Sequence, residues 1–196
     1  MADGETSKLA RKGMLVDPGN HFKGRYEVER KFRVDDLEII RTKLIDQGAI
    51  GFTIGNSETD TFFDLKDNSL AKNNQFQILR QMSPSERVLW ISKGPSPDEC
   101  VAMDLSDFDK ARSMLLSLDY NETLQIRKQR DIYFIDEFHA TLDHVAELGT
   151  FVELAVMSDV KSELPALRTR VDDMAKRLAL HEFAEETRSY RQLLFG

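Results

Sequence analysis

Between Tyr26 and Val34 the chain alternates with a period of two, and the alternation carries charge. Glu27, Glu29, Lys31 and Arg33 fall on one side of an extended strand, the first three within ~14 Å of one another. Tyr26, Val28, Phe32 and Val34 fall on the other side, with Arg30 interrupting. A single strand of this kind is explained by an antiparallel sheet with one wet face, where opposite charges pair across strands. Here the pattern recurs. Arg80 follows Phe76-Gln77-Ile78-Leu79, and Lys93 ends Leu89-Trp90-Ile91-Ser92. Lys128 and Arg130 share a face, Asp143 follows Thr141-Leu142, and Glu153 stands among Val152, Leu154 and Val156.

A sheet closed into a barrel turns such a face into a lumen. Four acids (Glu27, Glu29, Asp143, Glu153) and five bases (Lys31, Arg80, Lys93, Lys128, Arg130) are then costly to enclose unless a ligand compensates them. Two divalent cations and a fully ionised nucleoside triphosphate carry equal and opposite charge, so together they fit such a face. Carboxylates hold hard metal ions, and lysine and arginine clamp phosphate oxygens.

The rest of the chain predicts the frame around these strands. Asp35 is the candidate cap of a helix whose apolar stripe is Leu37, Ile40, Leu44 and Ile45 and which stops at Gly48. Strands are expected over Thr59–Leu65, Phe76–Met82 and Val88–Lys93, with a weaker one near Glu99–Met103. A second helix spans Asp107–Leu118 with Ser106 as its cap. Strands follow at Leu124–Ile135, Phe138–Val145 and Thr150–Met157. A long amphipathic helix covers Glu163–Leu180, with Pro165 in its first turn, where a missing amide costs little. Three helices among about eight strands describe an α+β domain on an antiparallel sheet.

Residues 1–20 read as a polar tail broken by Pro18-Gly19, with Met14 an alternative start, and residues 21–196 as one domain. A chain of 196 residues buries enough surface to fold without a staple, and the lone Cys100 excludes disulfide frameworks and thiolate zinc clusters. No apolar run is long enough to span a membrane, and the expected setting is a reducing cytoplasm. The net charge of −7 argues against a nucleic-acid partner. No P-loop, H-E-x-x-H or G-x-S-x-G motif occurs. His21, His139, His144 and His181 lie off the charged motifs and read as surface or satisfied histidines. Trp90 and the twelve phenylalanines read as core or sheet exterior.

Glu27-Val28-Glu29-Arg30-Lys31 resembles the ExExK signature of the CYTH, or triphosphate tunnel metalloenzyme, superfamily. It is accompanied, in that family's order, by Gln77-Ile78-Leu79-Arg80, Ile91-Ser92-Lys93-Gly94-Pro95, Ile126-Arg127-Lys128-Gln129-Arg130, Thr141-Leu142-Asp143 and Gly149-Thr150-Phe151-Val152-Glu153. His21-Phe22, Arg25-Tyr26, Ile132-Tyr133-Phe134 and Arg188-Ser189-Tyr190-Arg191 are similar to the class IV adenylyl cyclases within it. The resemblance implies a closed eight-stranded antiparallel barrel with flanking helices, a homodimer, and conversion of ATP to cyclic AMP and pyrophosphate with Mg²⁺ or Mn²⁺, two per site. It implies Glu29 and Glu153 as leading metal ligands, with Glu27 beside them. Lys31, Arg80, Lys93, Lys128 and Arg130 would hold the phosphates. Asp143, Lys31 and Arg130 would act in catalysis, with Asp143 or a metal-bound hydroxide as candidate base. One departure is Ala155, where many members carry a further acid. A metal-dependent triphosphatase and a non-catalytic polyphosphate-binding module are the competing readings.

Overall fold

The computed structural model describes residues 21–195; the predicted tail and Met14 lie outside them. Nine strands form one sheet: β1 (Tyr26–Arg33), β2 (Ile50–Leu65), β3 (Phe76–Ser83), β4 (Val88–Lys93), β5 (Cys100–Leu105), β6 (Tyr120–Ile135), β7 (Phe138–Val145), β8 (Gly149–Ser158) and β9 (Ala184–Glu185). Their order is β5-β4-β3-β2-β6-β7-β8-β1-β9, and all pairings are antiparallel. Among the described residues five α-helices accompany them: α1 (Leu37–Asp46), α2 (Ser69–Lys72), α3 (Phe108–Ser117), α4 (Leu164–Arg177) and α5 (Tyr190–Phe195). No helix among the described residues is long and apolar enough to cross a membrane.

The α+β antiparallel architecture is as the pattern predicts, but the closed eight-stranded barrel is not what the strand order forms. The ladder has nine strands and ends at β5 and β9. The free edge of β1 is shared between two neighbours, which prevents a closing ladder. Its last residues pair with β9, Phe32 with Glu185 and Arg33 with Ala184. Its first residues meet the chain entering β5 through one bridge, Tyr26 to Glu99, flanked by bonds from the Glu27 amide to Asp98 (2.7 Å) and from the Cys100 amide to Arg25 (3.1 Å). The sheet still curls: Lys93 of β4 reaches Glu27 of β1 at 3.0 Å, across nearly the whole strand order.

The convex face is the core. Val28 and Phe32 of β1, Ala140 and Leu142 of β7, and Val152, Leu154 and Val156 of β8 pack against α1 and α4. α4 presents Leu164, Leu167, Val171, Met174 and Ala175, a stripe at helical spacing. Arg30, the odd residue on that face of β1, bonds Asp172 of α4 at 2.9 Å. α3 covers a second apolar cluster of Phe63, Leu79 and Leu115, joined by Trp90.

Several boundaries move. The caps of α1 and α3 are Asp36 and Asp107, each one residue after the expected Asp35 and Ser106; their carboxylates accept from the amides of Glu38 (2.8 Å) and Lys110 (2.9 Å). β2 starts at Ile50 instead of Thr59, because its glycine- and asparagine-containing first half borrows order from the equally long β6. Register shifts fall between Gly51 and Thr53 and between Thr53 and Asn56, which breaks the alternation that a sequence scan needs. Gly94, after β4, has φ +87°, and a Cβ there would lie 1.9 Å from the Asn74 carbonyl oxygen; only glycine passes, and Lys93 is set beside it.

Candidate active site

The concave face collects the charged side chains. β1 contributes Glu27, Glu29 and Lys31; β3 contributes Arg80; β4 contributes Lys93; β6 contributes Lys128 and Arg130; β7 contributes Asp143; β8 contributes Glu153. All nine side chains singled out in the sequence come together here.

Three linked groups are visible. At one side Lys93 donates to Glu27 (3.0 Å), whose other oxygen lies 3.6 Å from His139 Nε2. In the middle Lys31 Nζ lies 3.5 Å from Glu153 and 3.8 Å from Glu29. Arg130 bonds both oxygens of Asp143, with its Nε at 2.6 Å from Oδ1, and donates to Glu153 Oε2 at 2.6 Å. Tyr190 of α5 adds its hydroxyl to Asp143 at 2.8 Å, and its ring lies beneath Lys31 Nζ. At the other side Arg80 grips Asp60 through two bonds (2.6 and 2.9 Å), and Lys128 donates to the same carboxylate at 2.8 Å.

Asp60 and its neighbour Glu58 are the residues that sequence reasoning missed. Glu58 Oε2 lies 3.2 Å from both Arg80 and Lys128 yet accepts no well-directed hydrogen bond. The signal was present: Glu58-Thr59-Asp60 has the same spacing as Glu27-Val28-Glu29. With these two the face holds six carboxylates and five cations, so its sum is one negative charge and not one positive charge as the sequence count implies. Tyr190 lies in a stretch that carries the resemblance, but its partner Asp143 is 47 residues away, so the contact itself was not legible.

Two of the four histidines are at the surface, as expected, and two are not. His144 and His181 are exposed. His21 and His139 are buried, and among the described residues neither Nδ1 has a hydrogen-bond partner. Burial, helped by nearby His139, lowers the pKa of His21.

Electrostatics sorts the acids. Burial alone would raise every carboxyl here. For Glu153 it is outweighed by Arg130, then Lys31 and Lys128, which hold the carboxyl down at about 2. For Glu27 it is outweighed by Lys93 and His139. Glu29 goes the other way: burial, then the charge of Glu153, push it up. Asp143 is also raised by burial, against the pull of Arg130. Burial and then the charges of Glu153 and Asp143 push the Tyr190 phenol far up, so it stays a donor. Burial lifts the Cys100 thiol to about 12, which leaves it protonated.

Glu29 and Glu153 both lie within 4 Å of Lys31 Nζ, at 3.8 and 3.5 Å. Glu29 and Glu153 are the residues that could hold a hard divalent cation, which takes one or two carboxylates and completes its shell with water and phosphate oxygens. No group of three or more His, Cys, Asp or Glu residues is placed to cage an ion among the described residues. Glu27 is engaged by Lys93, and Asp143 by Arg130 and Tyr190.

Asp60 and Glu58 predict an acid limit to the fold. For both, burial raises the pKa, but Arg80 and Lys128 lower it more, so the folded values lie below the ordinary 3.8 and 4.5. Their stabilisation is therefore complete above about pH 5 and is lost as pH falls below the ordinary carboxylate range. Urea midpoints at pH 7, 4 and 3 are expected to fall in that order; an Asp60→Asn, Glu58→Gln double variant is expected to show a flatter acid limb. Equal slopes in parent and variant would remove these residues from the acid response.

The site is thus a curled antiparallel sheet with a charged concave face, closed at one end by α5. The chain belongs to the CYTH domain family, whose profile matches residues 25–190. It is 43% identical over 173 residues to adenylate cyclase CyaB of Aeromonas hydrophila, covering 88% of this chain and 91% of the relative. Among solved structures it is similar to a "putative adenylate cyclase" of Vibrio parahaemolyticus, with a TM-score of 0.84 and 33% identity over 89% of this chain and all of that one. A protein of Pyrococcus horikoshii superimposes with a TM-score of 0.71 at 25% identity, covering 86% of this chain and 98% of that one.

Proposed function

We propose that this chain is an adenylate cyclase that converts ATP to 3′,5′-cyclic AMP and pyrophosphate with Mg²⁺ or Mn²⁺. The observation that carries the reading is the convergence of Lys31, Arg80, Lys93, Lys128 and Arg130 on one concave face, beside the Glu29–Glu153 pair. The 43% identity to a named adenylate cyclase over most of both chains supports the same reaction.

The reaction is an internal displacement. The ribose 3′-oxygen forms a bond to the α-phosphorus, the bond from that phosphorus to the β-phosphate oxygen breaks with its electron pair leaving on pyrophosphate, and the hydroxyl proton passes to solvent water. The main demand is geometric: the hydroxyl must approach opposite the leaving oxygen. The five cations hold the phosphates and meet the charge that builds on departing pyrophosphate. In doing so they exchange their present carboxylate partners, at least in part, for phosphate oxygens. Glu29 and Glu153 would hold the divalent cation, which supplies charge to the phosphates and lowers the pKa of the hydroxyl. Asp143, already accepting from Arg130 and Tyr190, acts in this reading as the anchor that aims Arg130 and not as the proton acceptor.

Incubating the full chain with ATP and Mn²⁺ and separating the products tests the assignment. Cyclic AMP and pyrophosphate in equal amounts are expected. Orthophosphate from ATP or inorganic triphosphate without a cyclic product would replace the cyclase with a triphosphatase. Binding without any product would leave a non-catalytic module.

A further inference from the structure

Along its strands the concave face runs from stacked rings at one end, His21 and Phe52 against Phe134, through the charged zone to an apolar end. There Ile126, Val145, Phe151 and Tyr190 pack together, with Leu193 and Leu194 of α5 against them. Glu58 and Asp60 stand toward that filled end. In the ladder between β2 and β6, Glu58 pairs with Lys128 and Asp60 with Ile126. Beyond the register shift between Thr53 and Asn56 the alternation resumes, and Asn56, Glu58 and Asp60 share one side of β2, all three buried.

With Arg80 and Lys128 these two acids form a quartet whose charges cancel. Asp60 is the well-bonded member, accepting twice from Arg80 and once from Lys128. Glu58 differs. Its Oε1 accepts from Asn56 Nδ2 at 3.0 Å. Its Oε2 lies 3.2 Å from Arg80 and from Lys128 and 3.9 Å from Arg130. Among the described residues that atom still accepts no hydrogen bond, although the side chain is wholly buried. A buried carboxylate kept for stability needs directed bonds to offset its desolvation. Glu58 Oε2 has charge around it without such bonds, as befits a counter-ion that its cations can exchange for another anion.

We propose that Glu58 and Asp60 are positioning residues for the release of pyrophosphate. They act through Arg80 and Lys128, holding these two arms before the nucleotide binds and taking them back as the product departs. The inference rests on the phosphate contacts of the proposed function and adds a device that weakens them. The chemistry calls for one. Fully ionised ATP carries four negative charges; cyclic AMP leaves with one, a proton is released, and the pyrophosphate left behind again carries four. Cations without competitors hold that product as tightly as the substrate, and such uniform binding does not speed turnover. Carboxylates that compete for the same cations subtract from the affinity for both anions. Without Glu58 and Asp60 the face would sum to one positive charge; with them it sums to one negative charge.

Calorimetry of pyrophosphate with Mg²⁺ on the full chain tests this without turnover. Glu58→Gln removes the charge and keeps an oxygen for Asn56. It is expected to bind pyrophosphate roughly 10–100-fold more tightly, the effect of deleting one charge a few Å from a bound anion. In initial-rate assays of that variant, KM for ATP should fall and kcat should not rise. Asp60→Asn, which keeps an oxygen for Arg80, should shift both constants in the same direction. Glu58→Asp keeps the charge and should bind pyrophosphate as the parent does. Melting curves on the same samples check the fold. A merely structural role predicts the opposite sign, with loosened arms, weaker pyrophosphate binding and a higher KM. Unchanged or weaker pyrophosphate binding in Glu58→Gln, equal tightening in Glu58→Asp, or no pyrophosphate binding by the parent overturns the proposal. If the parent binds pyrophosphate but makes no cyclic AMP, the cyclase reading falls and the calorimetry alone decides the counter-ion role.

Discussion

Glu29→Gln is expected to lower Mn²⁺-dependent cyclic AMP formation by about 10²–10³-fold while leaving the thermal midpoint unchanged or slightly higher. The two halves of that expectation have one cause. Glu29 has a single long ion pair, 3.8 Å to Lys31, and its side chain is 27% exposed. Its carboxyl is pushed up by burial and then by the charge of Glu153. Removing its charge therefore relieves repulsion and breaks little. Yet in the proposed cyclase these two carboxylates hold the divalent cation, and loss of such an ion's help is worth several kcal/mol of barrier, hence orders of magnitude in rate. Stability and activity pull against each other at this position, as they often do in functional sites. Initial rates over a Mn²⁺ series, with a melting curve on the same sample, check it. An undiminished rate would end the assignment of Glu29 as a metal ligand.

Arg130→Met should do the reverse, acting on stability first. Arg130 is held between Asp143 and Glu153, and Glu58 lies 3.9 Å away. Methionine fills similar space but leaves three buried carboxylates without their shared cation. Breaking a buried pair from one side costs about 3–5 kcal/mol, which for a chain of this size lowers the melting midpoint by roughly 6–20 °C. Adding Asp143→Leu should restore part of the loss, since exchanging both partners for apolar groups removes the orphaned charge. A midpoint within about 2 °C of the parent for Arg130→Met would mean that the concave face is solvated and the ions are not coupled.

The two predictions rest on parts of the chain that were unequally legible. Glu27, Glu29 and Lys31 could be placed on one face from the sequence, because strand alternation is a local property that needs no partner. The same is true of Lys128 with Arg130, and of α4, where Pro165 and the spacing of Leu167, Val171 and Met174 mark start and stripe. Glu58 and Asp60 were legible in spacing but lay at the border of a strand whose first half is irregular. β2 extends to Ile50 because β6 supplies its partner, through two register shifts that erase the pattern.

Sequence alone determined which side chains share a face within each strand, the antiparallel α+β character, and the family signature in Glu27-Val28-Glu29-Arg30-Lys31. These depend on backbone geometry over a few residues. Only the tertiary structure decided that the ladder stays open, with β9 taking part of the edge that a closing strand would need. Only it decided that Tyr190 meets Asp143, that six carboxylates offset five cations, and that rings gather at one end of the face. Those outcomes depend on curvature and on contacts between segments far apart in the chain, and alternation within a single strand carries no information about either.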